Sequence, residues 1–278
     1  MKAIEGVVTA LLTPFDRTGD VDYQSTAQLI NHVLGAGVDG LFILGTNGES
    51  ASLSYDEKVE FARFVMKEVS GRVPVIIGVG ECGTSLTLRL IQALSNLSPY
   101  AYSVICPYFQ RLNEEELYQH FLTISQASEV PVLLYNMPKL TGNPITLSLY
   151  RRLVRIENII GIKDSSGIEE ELHNFIKETP SDKSVYVGSD SLFLLARQSG
   201  ARGGVSGLSN AIAPIFVELN QVFEDGNIAQ SLILQEKIND FRLKMKKGTA
   251  PAMIKATLAQ EGIIQAYTRL PISSILIN

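Results

Sequence analysis

The chain alternates between two hydrophobic periods, and that alternation is what most narrows its possible folds. Short apolar runs rich in Val, Ile and Leu occupy residues 6–12, 40–44, 74–78, 101–105, 130–135, 159–163, 184–187 and 204–206. Between them, stretches such as 23–34, 56–69, 86–97, 114–127 and 146–154 carry apolar residues at helical spacing. The runs are continuously apolar, as parallel strands covered on both faces require. Ser54 followed by Glu57 has the spacing of a capping box and marks a helix start. Eight strands, each followed by a helix, fit within about the first 225 residues and predict an α/β fold, a (β/α)8 TIM barrel. A doubly wound open sheet is the alternative, because alternation alone does not distinguish a closed sheet from an open one. After Phe223 the strand signal stops, and residues 228–246 and 252–261 read as helical. The expected organisation is a barrel over residues 1–225, with a C-terminal helical extension over 226–278 packed on it.

Composition removes several function classes. A hydrophobic share of 45% beside 19% charged residues supplies a large core. The net charge is −5 and Lys and Arg are scattered, with a small cluster at Lys244, Lys246 and Lys247, so nucleic acid is not an expected partner. Cys82 and Cys106 make neither a disulfide framework nor a metal-like spacing. His32, His120 and His173 stand apart from one another and from the cysteines, so no metal site is expected. Lys2 and the apolar stretch after it faintly imitate a signal peptide, but Glu5 interrupts it and no small-residue cleavage site follows. No apolar run approaches a bilayer's thickness. A cytoplasmic protein with no membrane partner is the expectation.

Four predicted strand ends carry residues to be weighed for chemistry. Gly78-Val79-Gly80-Glu81-Cys82-Gly83 matches G-x-G-x-x-G, yet no Asp or Glu occurs from Cys82 through Asn113 to hold a ribose. It reads as loop glycines. Gly45-Thr46-Asn47-Gly48-Glu49-Ser50 follows the second strand, where backbone N–H groups can hold a carboxylate and the Thr46 hydroxyl can pass a proton. The bland reading is an ordinary Asn-Gly turn. Lys163 ends the sixth apolar run, and Tyr135 ends the fifth. At equivalent ends of successive strands an amine and a phenol can meet, and withdrawal from water favours a nucleophilic amine. Against this, Lys163 could simply pair with Asp164 at a rim, and Tyr135 could be a packed phenol before a proline turn.

Taken together, Gly45-Thr46-Asn47-Gly48-Glu49, Tyr135-Asn136-Met137-Pro138 with Thr141-Gly142, and Gly161-Ile162-Lys163-Asp164 resemble the dihydrodipicolinate synthase / N-acetylneuraminate lyase family. Gly188-Ser189-Asp190 and Gly203-Gly204-Val205-Ser206 agree with it at the seventh and eighth strands. The resemblance runs from about Gly6 to at least Gly262 and implies a (β/α)8 barrel, usually a homotetramer, that forms a Schiff base with pyruvate and needs no cofactor. It makes Lys163 the Schiff-base nucleophile and Tyr135 the general acid/base. It gives Thr46 a proton-passing role and assigns Gly45, Thr46 and Asn47 to the pyruvate carboxylate. The Val205 backbone would face the keto acid. A pyridoxal phosphate role for Lys163 is set aside, because no phosphate cup adjoins it.

Three departures from the family pattern direct the functional expectation. Leu140 stands where the synthase has an arginine that binds a substrate carboxylate. Phe109, in Pro107-Tyr108-Phe109, replaces the tyrosine that enters a neighbouring subunit's site, and Asn47 replaces a threonine of the same relay. The expected activity is therefore reversible cleavage of a 2-keto-3-deoxy sugar acid to pyruvate and an aldehyde. Dihydrodipicolinate synthase, condensing pyruvate with aspartate semialdehyde, and a sugar-acid dehydratase are the alternatives with the same mechanism. A keto-acid-binding sensor barrel is the alternative without catalysis. Arg202-Gly203-Gly204 leaves open a phosphorylated substrate.

Overall fold

The computed structural model describes residues 3–275. In chain order its elements are β1 (Gly6–Ala10), α1 (Tyr23–Gly35), β2 (Gly40–Ile43), α2 (Tyr55–Val69), β3 (Val75–Gly78), α3 (Thr84–Leu94), β4 (Ala101–Ile105), α4 (Glu114–Ala127), β5 (Val132–Asn136), α5 (Pro138–Thr141), α6 (Leu147–Leu153), β6 (Ile159–Asp164), α7 (Glu169–Glu178), β7 (Ser184–Val187), α8 (Phe193–Gln198), β8 (Gly203–Ser206), α9 (Ser209–Glu224), α10 (Ile228–Met245) and α11 (Ala250–Gln260). The strands follow one another in a closed barrel, β1 to β8, which decides between the two architectures the alternation allowed. Nearly every strand residue is buried, as the apolar runs predict for strands covered on both faces.

Two compact units make up the chain, one of Met1–Glu5 with Val75–Val205 and one of Gly6–Pro74 with Ser206–Asn278. In the first, β3, β4, β5, β6 and β7 pair in parallel succession. The β5–β6 register slips between Val132 and Leu133, and Gly161 absorbs the irregularity at φ +141°. A Cβ there would collide with the Ser184 carbonyl, so the close approach of β6 to β7 needs a bare backbone. Beyond the slip, Tyr135 sits opposite Lys163 and Asn136 opposite Asp164. Both strands run one residue further than the apolar pattern suggests, so Tyr135 and Lys163 are penultimate rather than terminal.

In the second unit β1 pairs with β2 and packs on α9. The predicted capping box is present: Ser54 Oγ accepts from Glu57 N, and Glu57 Oε2 accepts from Ser54 N at 2.8 Å. α9 breaks at Ile212, two residues before Pro214, whose ring and missing N–H preclude an unbroken ladder. α10 and α11 both pack on α9. They supply the helical C-terminal segment that the loss of strand signal after Phe223 anticipates.

Candidate active site

Strand register positions the central pair. Tyr135 and Lys163 lie on adjacent parallel strands, each 4% exposed, with Lys163 Nζ 4.0 Å from the centroid of the Tyr135 ring. The amine and the phenol predicted from strand ends therefore share one buried environment. Gly188 faces them from the end of β7. A Cβ on it would clash with Ser165 Oγ and lie 3.2 Å from Lys163 Cε, so the missing side chain gives the lysine stem its room.

Hydrogen bonds fix the strand ends beneath this pair. Asn136 Nδ2 donates to Asp164 Oδ1 at 2.8 Å, Ser166 Oγ donates to Asp164 Oδ2 at 2.8 Å, and the Ser166 N–H donates to Oδ1 at 3.2 Å. Asn136 Oδ1 accepts from the Ile145 N–H at 3.0 Å. Asp164 is thus engaged by Asn136 and Ser166. Its burial pushes the carboxyl above its ordinary range, and these hydrogen bonds act against that. Val205, on β8, is buried.

The loops beyond β4 and β5 are tied by a residue that sequence reading missed. Asn143 Nδ2 donates to the carbonyls of Pro107 and Gln110, each at 2.7 Å, and its Oδ1 accepts from the Leu112 N–H. This brackets Phe109, which is 96% exposed and holds φ +80°. Leu140, in α5, is 61% exposed. Neither departure from the family pattern is hidden in a core. Of the glycines in the G-x-G-x-x-G match, Gly78 ends β3, Gly80 lies tight against Ile105, and Gly83 caps the start of α3.

Gly45, Thr46 and Asn47 belong to the other unit, in the loop that follows β2. The loop is tightly bound from below: Thr13 Oγ1 donates to the Gly48 carbonyl at 2.7 Å, and a Cβ on Gly48 would press on the Leu11 carbonyl at 3.1 Å. The Asn47 side chain packs against the bare backbone of Gly207. Leu44 and Glu49, at the two ends of the turn, both take positive φ, at +56° and +52°. Glu49 and Lys255 are completely buried and joined at 2.6 Å. Lys255 Nζ also donates to the Tyr267 carbonyl, and Glu49 Oε2 accepts from the Arg269 N–H at 3.1 Å. Burial, opposed by Glu49, draws the Lys255 ammonium down to about 8. The sequence held one signal of this pair, a lysine inside the apolar helical stretch Ala252–Leu258.

Among the described residues no cluster of three or more His, Cys, Asp or Glu side chains is grouped to hold a metal. No helix among them is long and apolar enough to cross a membrane.

Comparison with known proteins gives one consistent answer. The Dihydrodipicolinate synthetase family matches residues 3–276. The 4-hydroxy-tetrahydrodipicolinate synthase of Oceanobacillus iheyensis is 35% identical over 266 residues, spanning 96% of this chain and 90% of its own length. That of Bacillus subtilis is 35% identical over 267 residues, with 96% and 92% covered. Among solved structures, a dihydrodipicolinate synthase of Bacillus anthracis superposes with a TM-score of 0.96 at 32% identity, covering 99% of this chain and 94% of its own. A prophage protein of E. coli K12 from the dihydrodipicolinic acid synthase family, solved in complex with pyruvate, gives 0.94 at 30% identity, with 98% and 94% covered.

Proposed function

The chain belongs to the dihydrodipicolinate synthetase family, and we propose that it joins pyruvate to an aldehyde, reversibly, through a Schiff base on Lys163. It is an enzyme of the class I, pyruvate-dependent lyase type. The observation that carries the residue assignment is the buried contact of Lys163 Nζ with the Tyr135 ring, 4.0 Å from its centroid. Nζ attacks the keto carbon of pyruvate, the carbinolamine loses water, and a protonated imine forms. That imine is an electron sink, so loss of a proton from the pyruvyl methyl gives an enamine that attacks the aldehyde carbon. Tyr135 is the proton carrier at the carbinolamine and at the new carbon–carbon bond. Gly45, Thr46 and Asn47 for the pyruvate carboxylate, and the Val205 backbone facing the keto acid, carry over from the family motifs. A cytoplasmic homo-oligomer, tetramer or dimer, is part of the same proposal.

For the aldehyde, the relatives favour aspartate semialdehyde, since both curated proteins described above are 4-hydroxy-tetrahydrodipicolinate synthases. Their names reverse the order expected from sequence, which put a 2-keto-3-deoxy sugar acid first. The sugar acid stays as a second reading because of Leu140: an exposed leucine cannot supply the guanidinium fork that grips a carboxylate.

Sodium borohydride added with pyruvate tests the common step, with a reduced pyruvyl mass expected on Lys163. Condensation with aspartate semialdehyde, measured beside cleavage of 2-keto-3-deoxygluconate, separates the two readings. Binding of pyruvate without adduct or turnover would leave the sensor barrel instead.

A further inference from the structure

Leu140 removes a cation from the loop after β5, yet a cation stands one residue earlier. Lys139 is exposed, and its ammonium reaches across to the loop after β6. A Cβ built on Gly167 would lie 3.5 Å from Lys139 Nζ and 3.9 Å from Ser189 Oγ. Gly167 holds φ +71° and carries no side chain, so the space between the lysine and the serine stays open. Ser189 Oγ is in turn 3.2 Å from Ser191 Oγ. An ammonium and a hydroxyl therefore flank a bare backbone position, with a second hydroxyl beside the first, four residues beyond Lys163 on the same strand exit. Across the loops of residues 137–146, 165–168 and 188–192, Lys139 is the sole basic residue and Asp190 the sole acidic one.

We propose that Lys139 is a specificity-determining residue, whose ammonium binds the anionic end of the aldehyde partner while the Ser189 and Ser191 hydroxyls complete its hydrogen bonding. The inference rests on the Schiff-base reading above and deepens it. A four-carbon stem on α5 places a point charge where a guanidinium fork is missing, and an ammonium accepts a carboxylate or a phosphate without demanding bidentate geometry. Aspartate semialdehyde offers a carboxylate, and a phosphorylated glyceraldehyde offers a phosphate. The charge at position 139 selects either over neutral glyceraldehyde. One acidic residue among these loops makes the amino-acid end of the semialdehyde, with one charge of each sign, the better match.

The experiment compares kcat/KM for aspartate semialdehyde, glyceraldehyde 3-phosphate and glyceraldehyde, each with pyruvate, in the wild type, Lys139→Met and Lys139→Arg. The wild type is first trapped with borohydride and pyruvate. The methionine keeps the stem and removes the charge, so the ratio of anionic to neutral aldehyde should fall roughly 10- to 100-fold. Arginine should restore most of that ratio, which a purely structural role would not do. The anionic aldehyde whose rate collapses identifies carboxylate or phosphate as the group bound. A ratio unchanged in Lys139→Met, or a wild type that prefers glyceraldehyde, overturns the proposal. Failure to trap any pyruvyl adduct in the wild type overturns the Schiff-base reading itself, and the assignment of Lys139 with it.

Discussion

Lys255 Nζ lies 2.6 Å from Glu49 Oε1 with both side chains wholly withdrawn from solvent, although 206 residues separate them. The pair joins helix α11 to the turn that carries Gly45, Thr46 and Asn47. Phe15 lies beneath the same ammonium, 4.2 Å from Nζ to ring centroid, and Arg269 stacks on that ring at 4.6 Å while pairing with Glu57. Cutting one member of such a pair strands the other charge in a low-dielectric interior. Lys255→Met is expected to cost about 3–5 kcal/mol in urea unfolding. Removing both charges, as in Glu49→Gln with Lys255→Met, should cost less than the lysine change alone. A double variant that is the sum of its parts would show the two groups to be energetically independent.

The acid side of the stability profile should report His120. Its Nδ1 shares a hydrogen bond with Thr84 Oγ1 at 2.9 Å, its Nε2 is buried, and burial alone draws the imidazole from 6.5 down to about 4. The folded chain therefore resists a proton that the unfolded chain accepts. Between pH 6.5 and 4 the unfolded state holds more protons, so stability falls as pH drops through that window and is fully present above it. The loss attributable to this ring is on the order of 3 kcal/mol. Urea midpoints at pH 7 and pH 4.5 should drop further in the wild type than in His120→Gln. Equal drops would assign the acid sensitivity to carboxylates instead.

Gly161 is a point where the barrel tolerates no side chain. Its φ of +141° and the Ser184 carbonyl beside it act together, because alanine would need both a rare backbone conformation and space that β7 occupies. Gly161→Ala should lose roughly 3 kcal/mol or more of stability. It should also disturb catalysis beyond that loss, since Lys163 lies two residues along the same strand. Activity per folded molecule, measured beside circular dichroism, separates the two effects. Unchanged activity in the folded fraction would mean that β6 absorbs the strain before it reaches the lysine.

What the sequence made legible follows from how local each signal is. Lys163 and Tyr135 could be paired in advance because each closes an apolar run, and a one-unit offset in a parallel sheet brings such ends together. Their exact opposition also depends on the slip at Val132/Leu133, which only the register reveals. Ser54 and Glu57 were readable because a capping box spans four residues. The pairing of Lys255 with Glu49 was not: a lysine in an apolar helical stretch hints at burial, but nothing there encodes a partner two hundred residues away. Asn143 was missed for the same reason: its three bonds reach back to Pro107, Gln110 and Leu112. The positive φ of Phe109 had no signal either, because the residue is neither Gly nor Asn.

Tyr135 gives the most direct separation of roles at the site. Under the proposed mechanism Lys163 supplies the nucleophile and Tyr135 the protons, so the two residues should fail differently. Tyr135→Phe keeps the ring that lies 4.0 Å from Nζ and deletes only the hydroxyl. Its kcat is expected to fall roughly 10²- to 10⁴-fold, the range that a positioned acid or base usually contributes. Because the amine remains, prolonged incubation with pyruvate and borohydride should still label Lys163, at a slower rate. Lys163→Met should give neither turnover nor label. Quenched-flow trapping, with mass measured at each time, resolves imine formation from the later carbon–carbon step. If Tyr135→Phe trapped pyruvate as fast as the wild type and lost only turnover, the phenol would act at the aldehyde alone. If it lost neither, the proton carrier would have to be another group on the same face.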